Sequence, residues 1–367
     1  MHHSTTNWRT RAGAVFTAAA VSLGIAASAS AAPSGDAFYT YSGSQPLSAL
    51  DNGTVLKTRE IDYAPLLGIT LPHIKATQLL YKTTLLTGKP DVNVTTVLQP
   101  RDQPKSQQRV VGYGSFYDSL NPYDQPSWVL AHGGGTIGQT ISQIEAIMML
   151  DWVGNGYTMV ITDTEGQDAY FAAGPVYGTN TLDGLRAAFA APSLGIAPTT
   201  KAGLVGYSGG AIATAWAAEL APTYAPDVNK RLVGATMGGV LANPAHNLKY
   251  VEGSFMWSGV MPMAVLGISR AAGEDITPYL NSYGRSLYET KQRVSIIDVL
   301  LQYPFLKWAD LTKPEYAKPE DVPIYPRMVN KLILSSRGTP TIPLYVAEGT
   351  KGEDEGTPGD KPGIGPG

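Results

Sequence analysis

Five residues hold the pattern most able to do chemistry: Gly206-Tyr207-Ser208-Gly209-Gly210, preceded by Ala202-Gly203-Leu204-Val205 and followed by Ala211-Ile212-Ala213-Thr214-Ala215-Trp216. Read in order, these are a strand, a G-x-S-x-G turn and a helix of small residues. Such a turn is strained and lifts its serine above the strand ends, and the positions two residues away must be small so that the strand and helix backbones can approach. Gly206 and Gly210 meet that demand. The chemistry would be nucleophilic: Ser208 attacks a carbonyl carbon, and the Gly209 amide, at a helix N-terminus, faces the oxyanion that forms.

A serine of this kind works with a histidine base and an acid that orients it. Five histidines are present; after Ser208 only His246 remains, and it reads as a solvated or capping residue, while His132 and His73 precede the serine. Acids cluster after the apolar run 342–347, at Glu348, Glu353, Asp354, Glu355 and Asp360, with Asp354 and Asp360 as the in-chain candidates for the orienting acid. The second donor to an oxyanion has two candidates: the turn His132-Gly133-Gly134-Gly135 after Trp128-Val129-Leu130-Ala131, and Asp118 in Phe116-Tyr117-Asp118-Ser119. Both read as strand-end loops, and ordinary tight-turn chemistry accounts for either.

The elements that must position these residues follow from the apolar pattern. Short apolar runs at 110–116, 128–131, 157–162, 203–207, 232–235 and 342–347 read as strands, and 141–152, 180–190 and 210–220 as helices between them. Strand and helix alternate as in an α/β protein with a mostly parallel central sheet. Two β-rich runs, 76–86 and 91–98, flank Gly88-Lys89-Pro90 and predict an antiparallel hairpin at the sheet edge. We divide the chain into an export signal (1–31), a core (32–240), an inserted helical cap (241–330) and a return to the core ending in a Gly/Pro-rich loop (331–367). The signal is read from Arg9 and Arg11 before an apolar stretch that ends in small residues, and it predicts a secreted protein. In the cap, Phe255-Met256-Trp257 and the stretch 261–266 offer apolar surface for an acyl chain, or equally an ordinary cap core.

Composition narrows the function classes. With 27 basic and 30 acidic residues and a net charge of −3, the chain lacks the positive excess that tracks a phosphate backbone, so no nucleic-acid partner is expected. No cysteine is present, which removes disulfides, thiolate metal ligands and a cysteine nucleophile together. With two of the five histidines at positions 2 and 3, no metal site is expected. After the signal no run is apolar enough to span a bilayer, since Pro262 interrupts 260–268. Asn52-Gly53-Thr54 and Asn93-Val94-Thr95 match the glycosylation acceptor motif.

At the residues quoted, the chain resembles the secretory lipase family. The similarity lies in Gly206 to Ala211 with Trp216-Ala217-Ala218-Glu219 and Tyr224-Ala225-Pro226 behind it, in Tyr117-Asp118-Ser119, in Gly156-Tyr157 leading to Asp163-Thr164-Glu165-Gly166, and in the hairpin ending Val94-Thr95-Thr96-Val97. It runs from about residue 36 to 347. The resemblance implies an α/β-hydrolase fold with a helical cap inserted after the strand that follows the nucleophile. It implies hydrolysis of carboxylic esters, including acylglycerols, at most transient contact with a lipid interface, and no cofactor. Between the two oxyanion candidates it selects Asp118, with the Gly209 amide as partner. It also implies that the acid and histidine follow the run 342–347, so the expectation is a form lacking its last strand and helix, with both residues beyond Gly367. The rival expectations are a short-chain esterase or acyltransferase, and a non-catalytic secreted binding protein on the same fold.

Overall fold

A computed structural model describes residues 33–65 and 70–349. Its strands are β1 (Val55–Ile61), β2 (Ile74–Thr84), β3 (Pro90–Pro100), β4 (Arg109–Gly114), β5 (Tyr157–Thr162), β6 (Ala202–Tyr207), β7 (Leu232–Gly238) and β8 (Leu344–Ala347). They form one sheet in the order β1-β2-β3-β5-β4-β6-β7-β8. The first three strands pair antiparallel with one another and β3 with β5, while every pair from β5 through β4, β6 and β7 to β8 is parallel.

Parallel neighbours need crossovers, and helices supply them: α1 (Pro126–His132) and α2 (Thr140–Gly154) lie between β4 and β5, α3 (Gly174–Ala190) between β5 and β6, and α4 (Gly209–Tyr224) and the single turn α5 (Pro226–Asn229) between β6 and β7. Because alternate strand residues face opposite sides, the central strands are apolar on both. Val110 and Val160 pack with Leu204, Leu182 and Trp216 under α3 and α4, while Val111, Met159 and Ile161 pack with Met149 and Val153 of α2. Helix α4 is nearly all Ala, Gly and Ile in its first half because it is buried on all sides there. Small residues on α3 let the two helices touch: a Cβ on Gly178 would lie 2.7 Å from the Trp216 carbonyl carbon.

Between β7 and β8 the chain is helical: α6 (Pro244–Val251), α7 (Val260–Ala272), α8 (Ser282–Thr290), α9 (Ile296–Val299), α10 (Trp308–Leu311) and α11 (Tyr325–Val329). This insertion has its own apolar core, built around Met261, Leu266, Trp308 and Met328, which Phe171 and Leu120 of the strand-end loops join. Arg270 fastens the two parts together. Its half-buried guanidinium donates to the carbonyls of Leu120, Asp168 and Ala169 on one side and to the carbonyl and side chain of Gln292 on the other. The return to the sheet is held by Glu219 of α4, which accepts the N–H groups of Ser335 (2.6 Å) and Arg337 (2.8 Å).

The structure corrects two readings of the pattern. The run 128–131, expected as a strand, is α1: Pro126 starts it, and the Gly133 N–H caps it on the Val129 carbonyl. Four apolar residues cannot tell strand from helix, and the flanking Pro and Gly were the better guides. Strand β1 was not expected at all, since Lys57, Arg59 and Glu60 give it the charged look of an edge strand.

Residues 1–31, expected as an export signal, lie outside the described residues, and no described helix is long and apolar enough to cross a membrane. Both glycosylation motifs are occupied inside the fold. Asn93 is buried in β3 with its amide donating to the Tyr81 hydroxyl and the Asp163 carbonyl, and the Asn52 amide donates to Tyr224 while its oxygen accepts from Thr84 and Lys82.

Replacing Glu219 by Ala leaves two backbone donors without their acceptor and should lower the unfolding free energy by about 2 kcal/mol. Urea denaturation followed by tryptophan fluorescence measures this, and a midpoint equal to that of the parent would remove Glu219 as the tie between α4 and the return segment.

Candidate active site

Ser208 stands between the end of β6 and the start of α4 with φ 52° and ψ −118°, a backbone conformation that costs a non-glycine residue energy. What holds it there is the close approach of three backbones. A Cβ on Gly206 would sit 2.0 Å from the Gly210 carbonyl oxygen, one on Gly210 would sit 2.0 Å from the Gly114 carbonyl oxygen, and one on Gly114 would sit 2.4 Å from that of Gly210. The ends of β4 and β6 therefore press directly on the first turn of α4. From the other side the Ser208 N–H donates to the Gly238 carbonyl at the end of β7 (2.9 Å).

The loop after β4 brings Asp118 over the same turn. The fit is close enough that a Cβ on Gly209 would lie 1.8 Å from Asp118 Oδ1. Asp118 is buried, has φ 38°, and its Oδ1 has no hydrogen-bond partner among the described residues. Two glutamates hold the loop on either side. Glu145 of α2 accepts from the Ser115 hydroxyl, the Phe116 N–H and the Tyr113 hydroxyl. Glu165, after β5, accepts from the Ser119 N–H and the Tyr177 hydroxyl (2.8 Å), and its own N–H donates to the Tyr117 hydroxyl. The insertion closes the loop from above, with the Ile296 N–H on the Asp118 carbonyl and the Leu120 N–H on the Val294 carbonyl.

Such crowding of carboxyls decides protonation. Burial, followed by the charge of Glu145, drives Asp118 well above the ordinary aspartate range, against the smaller opposing effect of the Gly209 amide. Burial, followed by the Asp118 charge, does the same to Glu165. Of this pair Asp118 holds the proton more firmly, because Ser119 and Tyr177 both donate to Glu165 while only the Gly209 amide favours a charge on Asp118. Burial pushes Glu145 up to about 7 in spite of its three donors, and Asp163, bonded to Ser127, also up to about 7. A neutral Asp118 carries an O–H that can be donated to an oxyanion, beside the N–H of Gly209.

A cavity of about 100 Å³ opens beneath these groups, lined by Ser208, Gly209, Asp118, Ile212, Asn247 and Trp257 among others. A second, apolar cavity of about 70 Å³, lined by Leu248, Met261, Val265 and Met328, shares Leu241, Val260 and Ala264 with the first. The cap stretch named from sequence thus divides: Trp257, Met261, Ala264 and Val265 line these two cavities, Met263 and Leu266 do not and are buried, and Phe255 and Met256 face solvent.

None of the described histidines lines the serine cavity. His132 stacks on Trp128 and places Nε2 3.2 Å from Asp36, while the Gly135 and Thr136 amides of its turn both donate to the Gln139 side chain. That turn follows a helix, and two of its N–H groups are spent locally, so it does not present the strand-end donor considered from sequence. His246 lies in the first turn of α6 with its ring against Tyr250. Asp354 and Asp360 lie outside the described residues, but Glu348, directly after β8, accepts the Val240 N–H at 2.7 Å, two residues beyond the Gly238 that holds Ser208. Sequence reasoning gave no role to Glu145 or Glu165. A buried acid one turn into a helix leaves no local signal, and Glu165 stood out only as part of a family motif.

A mostly parallel sheet in this order, a serine on a strand-to-helix elbow and a helical insertion before β8 define an α/β hydrolase. Residues 135–354 match the secretory lipase family, and the chain belongs to it. Among its relatives, a probable inactive lipase MT1628 of Mycobacterium tuberculosis is 31% identical over 254 residues, which are 68% of this chain and 56% of that protein. The secreted triacylglycerol lipase LIP3 of Malassezia restricta is 28% identical over 304 residues, 81% of this chain and 64% of that one. The chain thus spans less than two thirds of the length of either relative. Among solved structures, Candida antarctica lipase A superposes with a TM-score of 0.74 at 25% identity, covering 89% of this chain and 75% of its own. The fold extends to a rice cell wall degrading esterase, LipA of Xanthomonas oryzae, with a TM-score of 0.62 at 14% identity.

Raised carboxyl pKa values make the folded state bind protons that the unfolded chain releases. Stability contributed by these groups is therefore fully present below about pH 4 and is lost as pH rises through about 7, where Glu145 and Asp163 ionise in the fold. Glu145→Gln removes one such group while keeping an acceptor for Tyr113, so the fall in unfolding free energy between those limits should become shallower. Urea midpoints across that range test this, and equal slopes in parent and variant would contradict the assignment.

Proposed function

We propose that this protein is an exported carboxylic ester hydrolase of the triacylglycerol lipase type, with Ser208 as nucleophile and Asp118 and Gly209 as the oxyanion donors. The observation that carries the reading is the Asp118 carboxyl, buried against Gly209 beside the strained Ser208 and opening on a cavity that continues into an apolar one. In the reaction Ser208 Oγ bonds to the ester carbonyl carbon, and the carbonyl oxygen, now negative, takes the Asp118 O–H and the Gly209 N–H. The alcohol leaves with a proton, and water then releases the acid from the acyl-serine. No cofactor enters these steps. The narrow apolar cavity beside Met261 and Val265 suits an aliphatic acyl chain, which favours a lipase over an esterase restricted to the shortest acids.

The base that takes the serine proton is assigned to no described residue. A second reading, a non-catalytic ester-binding protein on the same fold, is favoured by the absence of a histidine from the cavity among the described residues and by a relative that bears the name of an inactive lipase.

One assay separates the two. Residues 32–367 and a chimera that continues them with the C-terminal portion of a secretory lipase are compared on p-nitrophenyl butyrate and a longer-chain ester, each with a Ser208→Ala control. Residues 32–367 alone should stay near background, since loss of triad members costs a factor of about 10⁴ or more. The chimera should hydrolyse both esters and lose that activity with Ser208→Ala. A folded chimera without turnover would favour the binding protein, and turnover that survives Ser208→Ala would remove Ser208 as the nucleophile. In an active chimera, Asp118→Ala should lower kcat by about 10²-fold or more with a smaller change in KM, as expected for a donor used mainly in the transition state.

A further inference from the structure

The two cavities beside Ser208 meet along a boundary that is apolar but for one residue. Among the described residues six line both: Ala172, Leu241, Asn247, Val251, Val260 and Ala264. Five of these are aliphatic. The sixth, Asn247, brings a carboxamide to a passage otherwise suited to hydrocarbon. Its direction follows from its place on α6. Pro244, Asn247, Leu248 and Val251 recur at the three- and four-residue spacing of one helical face, and all four line the apolar cavity. Asn243 caps the helix, its side chain accepting the Ala245 and His246 N–H groups, which fixes the first turn and with it the rotation of that face.

A leucine at position 247 would continue the stripe. An asparagine there is a poorer helix former and carries a strongly hydrated amide into apolar surroundings, so the choice points to a ligand group that uses it. An asparagine side chain has two N–H donors and an oxygen with two lone pairs, and it can meet such a group while keeping a bond within the protein. An ester whose carbonyl lies against Ser208, Gly209 and Asp118 reaches the boundary with the part of its acyl chain nearest the carbonyl, before the chain enters the cavity lined by Met261, Val265, Ile268 and Met328. A hydroxyl on that part of the chain can donate to Asn247 Oδ1, and a keto oxygen there can accept from Nδ2.

We propose that Asn247 is a specificity-determining residue, which selects esters whose acyl chain carries a hydroxyl or keto group close to the carbonyl over plain aliphatic esters. The proposal rests on the ester-hydrolase reading for the nature of the occupant, and it is tested by binding alone, so the two fail separately. Residues 32–367 carrying Ser208→Ala, which consume no ester, are titrated with methyl octanoate and with methyl 3-hydroxyoctanoate, and binding is followed by tryptophan fluorescence, to which Trp257 in the Ser208 cavity contributes. The hydroxy ester should bind about fivefold tighter, the gain expected from one hydrogen bond after desolvation of the hydroxyl. Adding Asn247→Leu, a branched side chain of similar length, should reverse the order, with the plain ester about fivefold tighter, because the hydroxyl then enters apolar surroundings without a partner. Asn247→Ala should abolish the preference, and it carries the test if thermal unfolding shows the leucine variant to be unfolded. Equal affinity for the two esters before position 247 is changed, or a preference for the hydroxy ester that survives in a folded Asn247 variant, would overturn the proposal and leave the acyl reading of the cavities standing. Binding of neither ester would remove that reading and the proposal with it.

Discussion

Everything in the site depends on a contact in which no side chain takes part. The ends of β4 and β6 meet the first turn of α4 at Gly114, Gly206 and Gly210, at separations that leave no room for a methyl group. Close-packed backbones of this kind cannot be tuned gradually, because any added atom must displace a strand or a helix. The reward for that rigidity is geometric. Ser208 is fixed from the strand side, from the helix side and through Gly238 of the neighbouring strand, and Gly209 is left lining the pocket with its amide beside the Asp118 carboxyl.

Around this hard contact the fold arranges a softer, electrostatic one. Asp118, Glu145, Glu165 and Asp163 all lie within the protein, in or against the loops that follow β4 and β5. No cation neutralises the cluster among the described residues, so its members are kept by hydroxyls, amides and protons. Such an arrangement is expensive for stability and makes sense where one carboxyl has to remain neutral in a pocket near neutral pH.

The parts of this structure legible in the sequence are those whose cause is local. The elbow could be read because its steric demand falls on residues two positions from Ser208, and the parallel strands because each is a short apolar run ended by a turn. Residues 128–131 were misread since four apolar residues carry no period, and β1 was missed since Lys57, Arg59 and Glu60 interrupt its apolar pattern. Glu145 and Glu165 stayed silent for a deeper reason. Their pKa values and their grip on the Asp118 loop arise from burial created by helices and strands distant in sequence. Likewise the cap's apolar residues were visible, but only packing could show which of them turn inward to a cavity and which, like Phe255, turn out to water.

The two acceptor asparagines, Asn93 buried in β3 and Asn52 half-buried against β2, bear on how the protein can be made. Enzymes that attach N-linked sugars act on Asn-x-Ser/Thr before a chain has folded, when Asn52 and Asn93 are as accessible as any residue. In the folded protein the Asn93 amide has both its protons committed between Tyr81 and Asp163, and a sugar there would have to be accommodated where no space exists. A eukaryotic secretory host would therefore sort newly made molecules by a modification that the native state forbids, whereas a host without that machinery imposes no such toll on the yield of folded protein.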